Sequence, residues 1–288
     1  MLKWLVTLLP TDAFAHVPHL MGKIIEPGQS TFRITRAKYD EWDGAARAAG
    51  RPENWRRSHE DREATRVAAL TGRLNWDLWV FAYGSLMLDP AIHIVEIRPA
   101  TPQGYHRSFC LKIEIGRGSP ENPGLVAGLR EGGQCQGLLF RVPASAVDRE
   151  TDIMWMREIV FDGYVPAFLH LETNLGRLEA RAFIADRASS RWVDLNEEAT
   201  ARMIATGTGI VGSNLEYLDK LHEQLSLLGF DDPAIKALHR RAHSLSDCLC
   251  QLKGNCCGIA ITAAGVNSVN LRGSLPLHRD NQVMRKRE

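Results

Sequence analysis

The sequence has no apolar run as long as the ~18 residues of a membrane-spanning helix, so no segment of it reads as transmembrane. Neither sign of charge is in excess: 35 Lys and Arg face 34 Asp and Glu, a net charge of +1. Nothing in so even a balance suggests a protein that holds nucleic acid or an anionic membrane surface. Cysteine is scarce, with six among 288 residues, too few for a disulfide framework in a chain of this length. Cys110 and Cys135 lie in apolar, strand-like segments and read as core thiols. Cys248, Cys250, Cys256 and Cys257 crowd near the C-terminus in a C-x-C-x5-C-C order, which is not a zinc-site spacing. His239 and His243 stand four apart in a helical stretch. With Arg240 and Arg241 between them and no carboxylate close by, they read as a solvated face. Gly116-Arg117-Gly118 opens like a dinucleotide fingerprint, but residue 121 is Glu121 and no βαβ unit surrounds it. Internal repeats are also missing.

What remains is ordinary globular composition, 44% hydrophobic and 24% charged, enough for one core with appendages or two small domains. At the N-terminus, Trp4 to Leu9 followed by Ala13-Phe14-Ala15 imitates a short secretory signal. Pro10 and Asp12 interrupt it at once, and an upstream start codon with Met21 as a second beginning reads equally well. A cytoplasmic protein is expected.

Little periodicity is present up to about residue 35. From Arg36 to Arg73 the composition is alanine-rich, charged and helical, broken near Gly50-Arg51-Pro52. Residues 1–75 therefore read as an N-terminal helical or partly disordered extension. From Trp76 strands take over. Trp79 to Tyr83 is apolar and β-branched or aromatic, and Ile92 to Val95 suggests a short strand. Gly104 to Ile115 alternates, with Phe109, Leu111, Ile113 and Ile115 on one face. Leu125 to Leu129 and Cys135 to Val142 look like a hairpin around Glu131-Gly132-Gly133. A helix is expected from Pro143 to about Val160, then strands at 167–172 and 179–185, then helices at 196–205, 214–228 and 233–244. The organisation is a β-rich domain at 76–246 between the extension and an irregular tail at 247–288.

Two stretches carry chemistry. Val80-Phe81-Ala82-Tyr83-Gly84-Ser85-Leu86 runs from an apolar strand into Gly-Ser, where a bare main chain can bend and meet a small anion. Glu158 stands among Met154, Trp155, Met156, Ile159, Val160 and Phe161. A carboxylate in apolar surroundings loses solvation and gains pKa, which suits a general base or acid near neutral pH. Each stretch alone also fits a bland reading, a strand end and a solubilising helix end.

Together with Arg117-Gly-x-Pro-x-x-Pro-Gly124, Arg157-Glu158 and Asn214-x-Glu-Tyr-Leu218, in that order, these stretches resemble the ChaC-type γ-glutamylcyclotransferases, over roughly residues 77–242. The resemblance implies an α+β fold, a small mixed β-barrel with flanking helices, and a site that needs no metal or organic cofactor. It implies cleavage of glutathione to 5-oxoproline and cysteinylglycine, with Glu158 as the catalytic glutamate and Val80 to Leu86 as the substrate loop. The chemistry agrees, because the substrate's own α-amine can close a five-membered ring on the γ-carbonyl and no Ser or Cys nucleophile is required. At a pKa near ~8 that amine is largely protonated, and a glutamate of raised pKa can pass its proton to the departing nitrogen.

The N–H groups around Tyr83 to Ser85 would receive either the α-carboxylate or the oxyanion. Arg117 could meet the glycyl carboxylate or be a surface loop arginine, and Tyr217 could present its hydroxyl or pack its helix. Two positions depart from the family. Leu88 stands where relatives have tryptophan. Arg149 falls where some have a carboxylate, with neighbouring Glu150 read as a surface residue. The partner expected is a small molecule, glutathione. The rivals are the same reaction on other γ-glutamyl compounds and a non-catalytic γ-glutamyl-binding regulatory protein.

Overall fold

A computed structural model of the chain describes residues 8–48 and 50–252. Strand β1, Leu78–Ala82, is buried along almost its whole length, as a continuous apolar run requires when both faces are covered. It pairs antiparallel with β5, Gly137–Val142, which pairs with β2, Glu96–Pro102. The sheet continues through β6, Tyr164–Thr173, to β7, Gly176–Ala185. A parallel contact of Val80 with Arg181 joins β7 back to β1 and closes a five-stranded barrel. Outside it, β4 (Gly124–Glu131) runs parallel to β7 and carries β3, Tyr105–Ile113, on its far side. Six α-helices among the described residues complete a mixed α+β fold of the expected class: α1 (Arg36–Ala48), α2 (His59–Ala69), α3 (Val147–Glu158), α4 (Glu197–Thr206), α5 (Asn214–Leu228) and α6 (Pro233–Leu252).

Three local expectations are corrected. Residues 92–95 are not a strand; Ile92 and Ile94 are buried in the loop before β2, and only the Val95 N–H reaches the sheet. The hairpin around Glu131-Gly132-Gly133 does not form, since β4 pairs with β3 and β7 while β5 pairs with β1 and β2. Gly132 and Gly133, at φ of 92° and 70°, turn the chain away from β4 towards a different part of the sheet. In β3 a bulge between Phe109 and Leu111 breaks the alternation, and the two side chains enter different clusters.

The aperiodic N-terminal stretch is anchored rather than loose. Leu9, Ala13, Phe14, Val17, Leu20, Ile24 and Ile34 are buried in the same core as β1, α3 and the C-terminal helices. Ala13 and Phe14, from the signal-like Ala-Phe-Ala, sit in a short 3-10 turn. At the other end α6 runs past residue 246, to Leu252. Cys256, Cys257 and the rest of the expected tail lie outside the described residues.

Candidate active site

Glu158 is the last residue of α3, and its side chain is only 15% exposed. Packing fixes that helix end: Trp155 meets Phe183 of β7 edge-on, with ring centroids 5.0 Å apart. The last carbonyls of a helix need outside partners, and the N-terminal extension supplies two. The Tyr39 hydroxyl of α1 donates to the Met156 carbonyl, and the Arg57 N–H donates to the Val160 carbonyl just past the helix, at 2.8 Å.

Loss of solvation pushes the Glu158 carboxyl above its ordinary pKa, against the opposing pull of Arg157. Its position at the negative end of the α3 dipole acts in the same direction as the burial. Arg157 Nε stands 3.1 Å from Glu158 Oε1. The same guanidinium donates to Ser85 Oγ at 2.9 Å and to the Asp89 carbonyl. One arginine thus ties the carboxylate of α3 to the loop after β1.

That loop divides in two. Val80, Phe81 and Ala82 pair with Phe140, Leu139 and Leu138 of β5, and their side chains are buried in packed clusters. Leu86 is buried as well. At Tyr83-Gly84-Ser85 the chain leaves the sheet and enters a 3-10 turn, Ser85–Met87. The N–H groups of Gly84, Ser85 and Leu86 have no hydrogen-bond partner among the described residues. A Cβ on Gly84 would meet no atom within 4 Å, so the main chain there is open to a small ligand. The Tyr83 carbonyl is held by Arg107 Nε of β3. Arg107 is buried and also binds the Gln136 carbonyl at 2.7 Å and the Asp232 carboxylate.

Three buried phenols lie within reach of the carboxylate's charge. Burial raises the pKa of Tyr83, Tyr164 and Tyr217, and the nearby charge of Glu158 raises each further. Tyr83 Oη donates to the Phe183 carbonyl at 2.7 Å and Tyr164 Oη to the Ala127 carbonyl at 2.6 Å. Tyr217 packs edge-on against Phe109 at 5.7 Å. It is placed by Asn214, the first residue of α5. The fully buried Asn214 side chain accepts from the Leu125 N–H at 2.9 Å and donates to the Leu125 carbonyl at 2.7 Å.

The structure brings Glu158, Tyr83, Ser85 and Tyr217 together. Arg117 is engaged elsewhere, its Nη1 donating to the Ser213 carbonyl and to Glu216 Oε2, both at 2.9 Å. Glu150, read as a surface residue, is fully buried and paired with Arg33; the correction arises because its partner comes from the extension, 117 positions earlier. Arg107 and Tyr164 were not singled out from sequence, and Arg157 entered only as part of the Arg157-Glu158 motif, with no role of its own. Only Arg157, adjacent to Glu158, left a signal that could have been followed.

A closed barrel extended by two strands, with a desolvated glutamate at a helix end beside a Gly-Ser loop, defines a γ-glutamylcyclotransferase-like fold. The yeast γ-glutamylcyclotransferase specific to glutathione shares it, with a TM-score of 0.53 at 23% identity over 59% of this chain and 99% of that one. The family model described as ChaC-like protein matches residues 78–244, and the chain belongs to that family. Glutathione-specific γ-glutamylcyclotransferase of Escherichia coli is 35% identical over 184 residues, 63% of this chain and 80% of that protein. The human glutathione-specific γ-glutamylcyclotransferase 1 is 30% identical over 181 residues, 60% of this chain and 82% of that protein.

Proposed function

We propose that this protein is a glutathione-directed γ-glutamylcyclotransferase in which Glu158 moves the proton. The carrying observation is the desolvated Glu158 carboxylate, tied through Arg157 to Ser85 in a chain of the ChaC-like family. The substrate α-ammonium gives a proton to Glu158, and the freed amine attacks the γ-carbonyl carbon. A tetrahedral oxyanion forms, the bond to the cysteinyl nitrogen breaks as that nitrogen receives the proton from Glu158, and the second proton shed by the ring nitrogen passes to the released amine, leaving a lactam N–H and a dipeptide ammonium. The products, 5-oxoproline and cysteinylglycine, together contain every atom of glutathione, so neither water nor a redox partner is consumed.

The N–H groups of Gly84, Ser85 and Leu86 receive the negative charge at the glutamyl end, as donors fixed before the reaction need no reorganisation. Holding the glutamyl chain folded supplies the orientation term. Residues 76–246 are taken as the catalytic unit, with 1–75 as an extension that buttresses α3 through Arg33, Tyr39 and Arg57. No described helix is long and apolar enough to cross a membrane. The cytoplasm, which keeps thiols such as the buried Cys110 and Cys135 reduced, is the proposed compartment.

The test is a time course with reduced glutathione, following both products by mass, with folded Glu158→Gln alongside. Products from wild type alone support the assignment. Equal turnover by the two proteins removes Glu158 from the mechanism, and turnover by neither removes glutathione. Arg117 favours keeping a second reading, because its engagement with Glu216 leaves a glycyl carboxylate to compete for it. In that reading the same ring closure acts on γ-glutamyl compounds that lack the distal carboxylate.

A further inference from the structure

His239 and His243, which look like a solvated pair in the sequence, acquire a carboxylate from the preceding helix. The loop between α5 and α6 is only four residues, with Gly229 in the left-handed conformation at φ of 71°, so the helices fold back on one another. Asp219 of α5 then faces the i,i+4 pair of α6. Its Oδ1 lies 3.0 Å from His239 Nε2 and 2.6 Å from His243 Nε2. His222, one turn after Asp219, stacks on His239 with centroids 4.3 Å apart and ring planes at 18°. The donor atoms of the Asp219, His239 and His243 side chains all lie within 4.8 Å of one another.

We propose that Asp219, His239 and His243 form a binding site for a divalent first-row transition metal, zinc by its ligand set, that ties α5 to α6. Two imidazoles and one carboxylate suit zinc and its neighbours rather than magnesium or calcium, which favour oxygen donors. Bonds of ~2.0–2.1 Å in a tetrahedron put donor atoms ~3.3 Å apart, so the Asp219 oxygen has to move ~0.3 Å further from His239 and ~0.7 Å further from His243. The histidines border a surface groove that also contains Arg240 and Cys248, open enough for water as the fourth ligand. Arg240 opposes the cation there, while Arg241 is turned aside by its ion pair with Glu198.

Along α5, Tyr217 and Asp219 are two positions apart, ~200° around the helix. Tyr217 faces the glutamate site and Asp219 faces away from it, so the metal stabilises the helix pair without contacting substrate. Binding to the folded state alone raises stability by mass action.

The experiment uses the full chain with Cys248, Cys250, Cys256 and Cys257 changed to serine, which keeps thiols out of the answer. After stripping with a chelator, zinc is titrated in competition with a chromophoric chelator, and cobalt is added separately to read its visible spectrum. One equivalent of zinc and a tetrahedral cobalt spectrum are expected. Asp219→Asn and His243→Gln should each weaken zinc binding by at least ~10-fold, whereas His222→Gln, which alters only the stacking neighbour, should leave it nearly unchanged. Absence of stoichiometric binding in the four-serine chain overturns the proposal. So does equal affinity in Asp219→Asn, His243→Gln and their parent, with circular dichroism confirming that each is folded.

Discussion

Arg33, in the N-terminal extension, grips Glu150 of α3 at two points, Nη1 to Oε2 at 2.7 Å and Nη2 to Oε1 at 3.1 Å. The Glu150 side chain has no solvent exposure, and it also accepts from the His93 N–H at 3.0 Å. Arg33 donates further to the carbonyl of Ala91, a residue at φ of 60°. One guanidinium therefore fixes the extension, the loop before β2 and the helix that ends at Glu158.

Removing Arg33 leaves a buried carboxylate without its main partner. Breaking such a pair costs ~3–5 kcal/mol, and the Arg33→Ala variant is expected near the lower figure because Arg149 and the His93 N–H remain. Burial alone would raise the Glu150 pKa, but the Arg33 hydrogen bonds and the His93 N–H outweigh it, and the folded value is lowered. A lowered carboxyl pKa gives stability that is present above the unfolded value, ~4.3, and is lost as pH falls through the folded one. The gap between wild type and Arg33→Ala in urea unfolding should be widest near neutral pH and narrow in acid. A gap that does not change with pH would contradict the ion-pair assignment.

Glu158 has the opposite sign. Its folded pKa is raised by desolvation, so its contribution favours folding below the unfolded value and is lost as pH rises through the folded one. Glu158→Gln should therefore cost ~10²–10⁴-fold in turnover, the range of a general acid–base group. The same change should raise the thermal midpoint near neutral pH, with the advantage disappearing below ~4. Melting curves across pH, run beside the product assay, check both halves.

Arg157 lowers the Glu158 pKa while holding Ser85 and the Asp89 carbonyl. Lysine cannot reproduce the fork that serves three acceptors. Arg157→Lys is expected to lower kcat by ~10-fold or more, on the scale of a charged hydrogen bond worth ~1.5–3 kcal/mol. Because the displaced charge no longer favours the carboxylate form, the acidic limb of the kcat/KM profile should move to higher pH. A profile that keeps its acidic limb in place would separate Arg157 from the titration of Glu158.

Legibility in the sequence followed the range over which each cause acts. The end of β1 and the end of α3 were readable because the apolar run into Gly84-Ser85 and the setting of Glu158 are local patterns. The α5 boundaries were readable too, since Ser213 caps its start and Gly229 ends it. Strand partnership was not: Gly132-Gly133 announces a turn but cannot say that β5 crosses to β1 and β2. Glu150 and the pair His239 and His243 were misjudged for one reason. The partners that change their meaning, Arg33 and Asp219, lie far away in sequence and arrive only on folding.

Arg117 decides between the substrate readings. It holds Glu216 Oε2 at 2.9 Å, and Glu216 is shared with Lys220. A glycyl carboxylate that binds Arg117 must displace or join this partner. On the glutathione reading, Arg117→Gln should raise KM for glutathione by ~10–100-fold, the equivalent of one charged hydrogen bond of ~1.5–3 kcal/mol. Turnover of a γ-glutamyl amine without the distal carboxylate should be left almost unchanged. Glu216→Gln frees the guanidinium of its competitor and should lower KM for glutathione alone. If Arg117→Gln affects both substrates equally, its role is to hold the loop to Ser213 at the start of α5, and the distal carboxylate is recognised elsewhere or not at all. Steady-state kinetics on the two substrates with the two variants give the answer without a new structure.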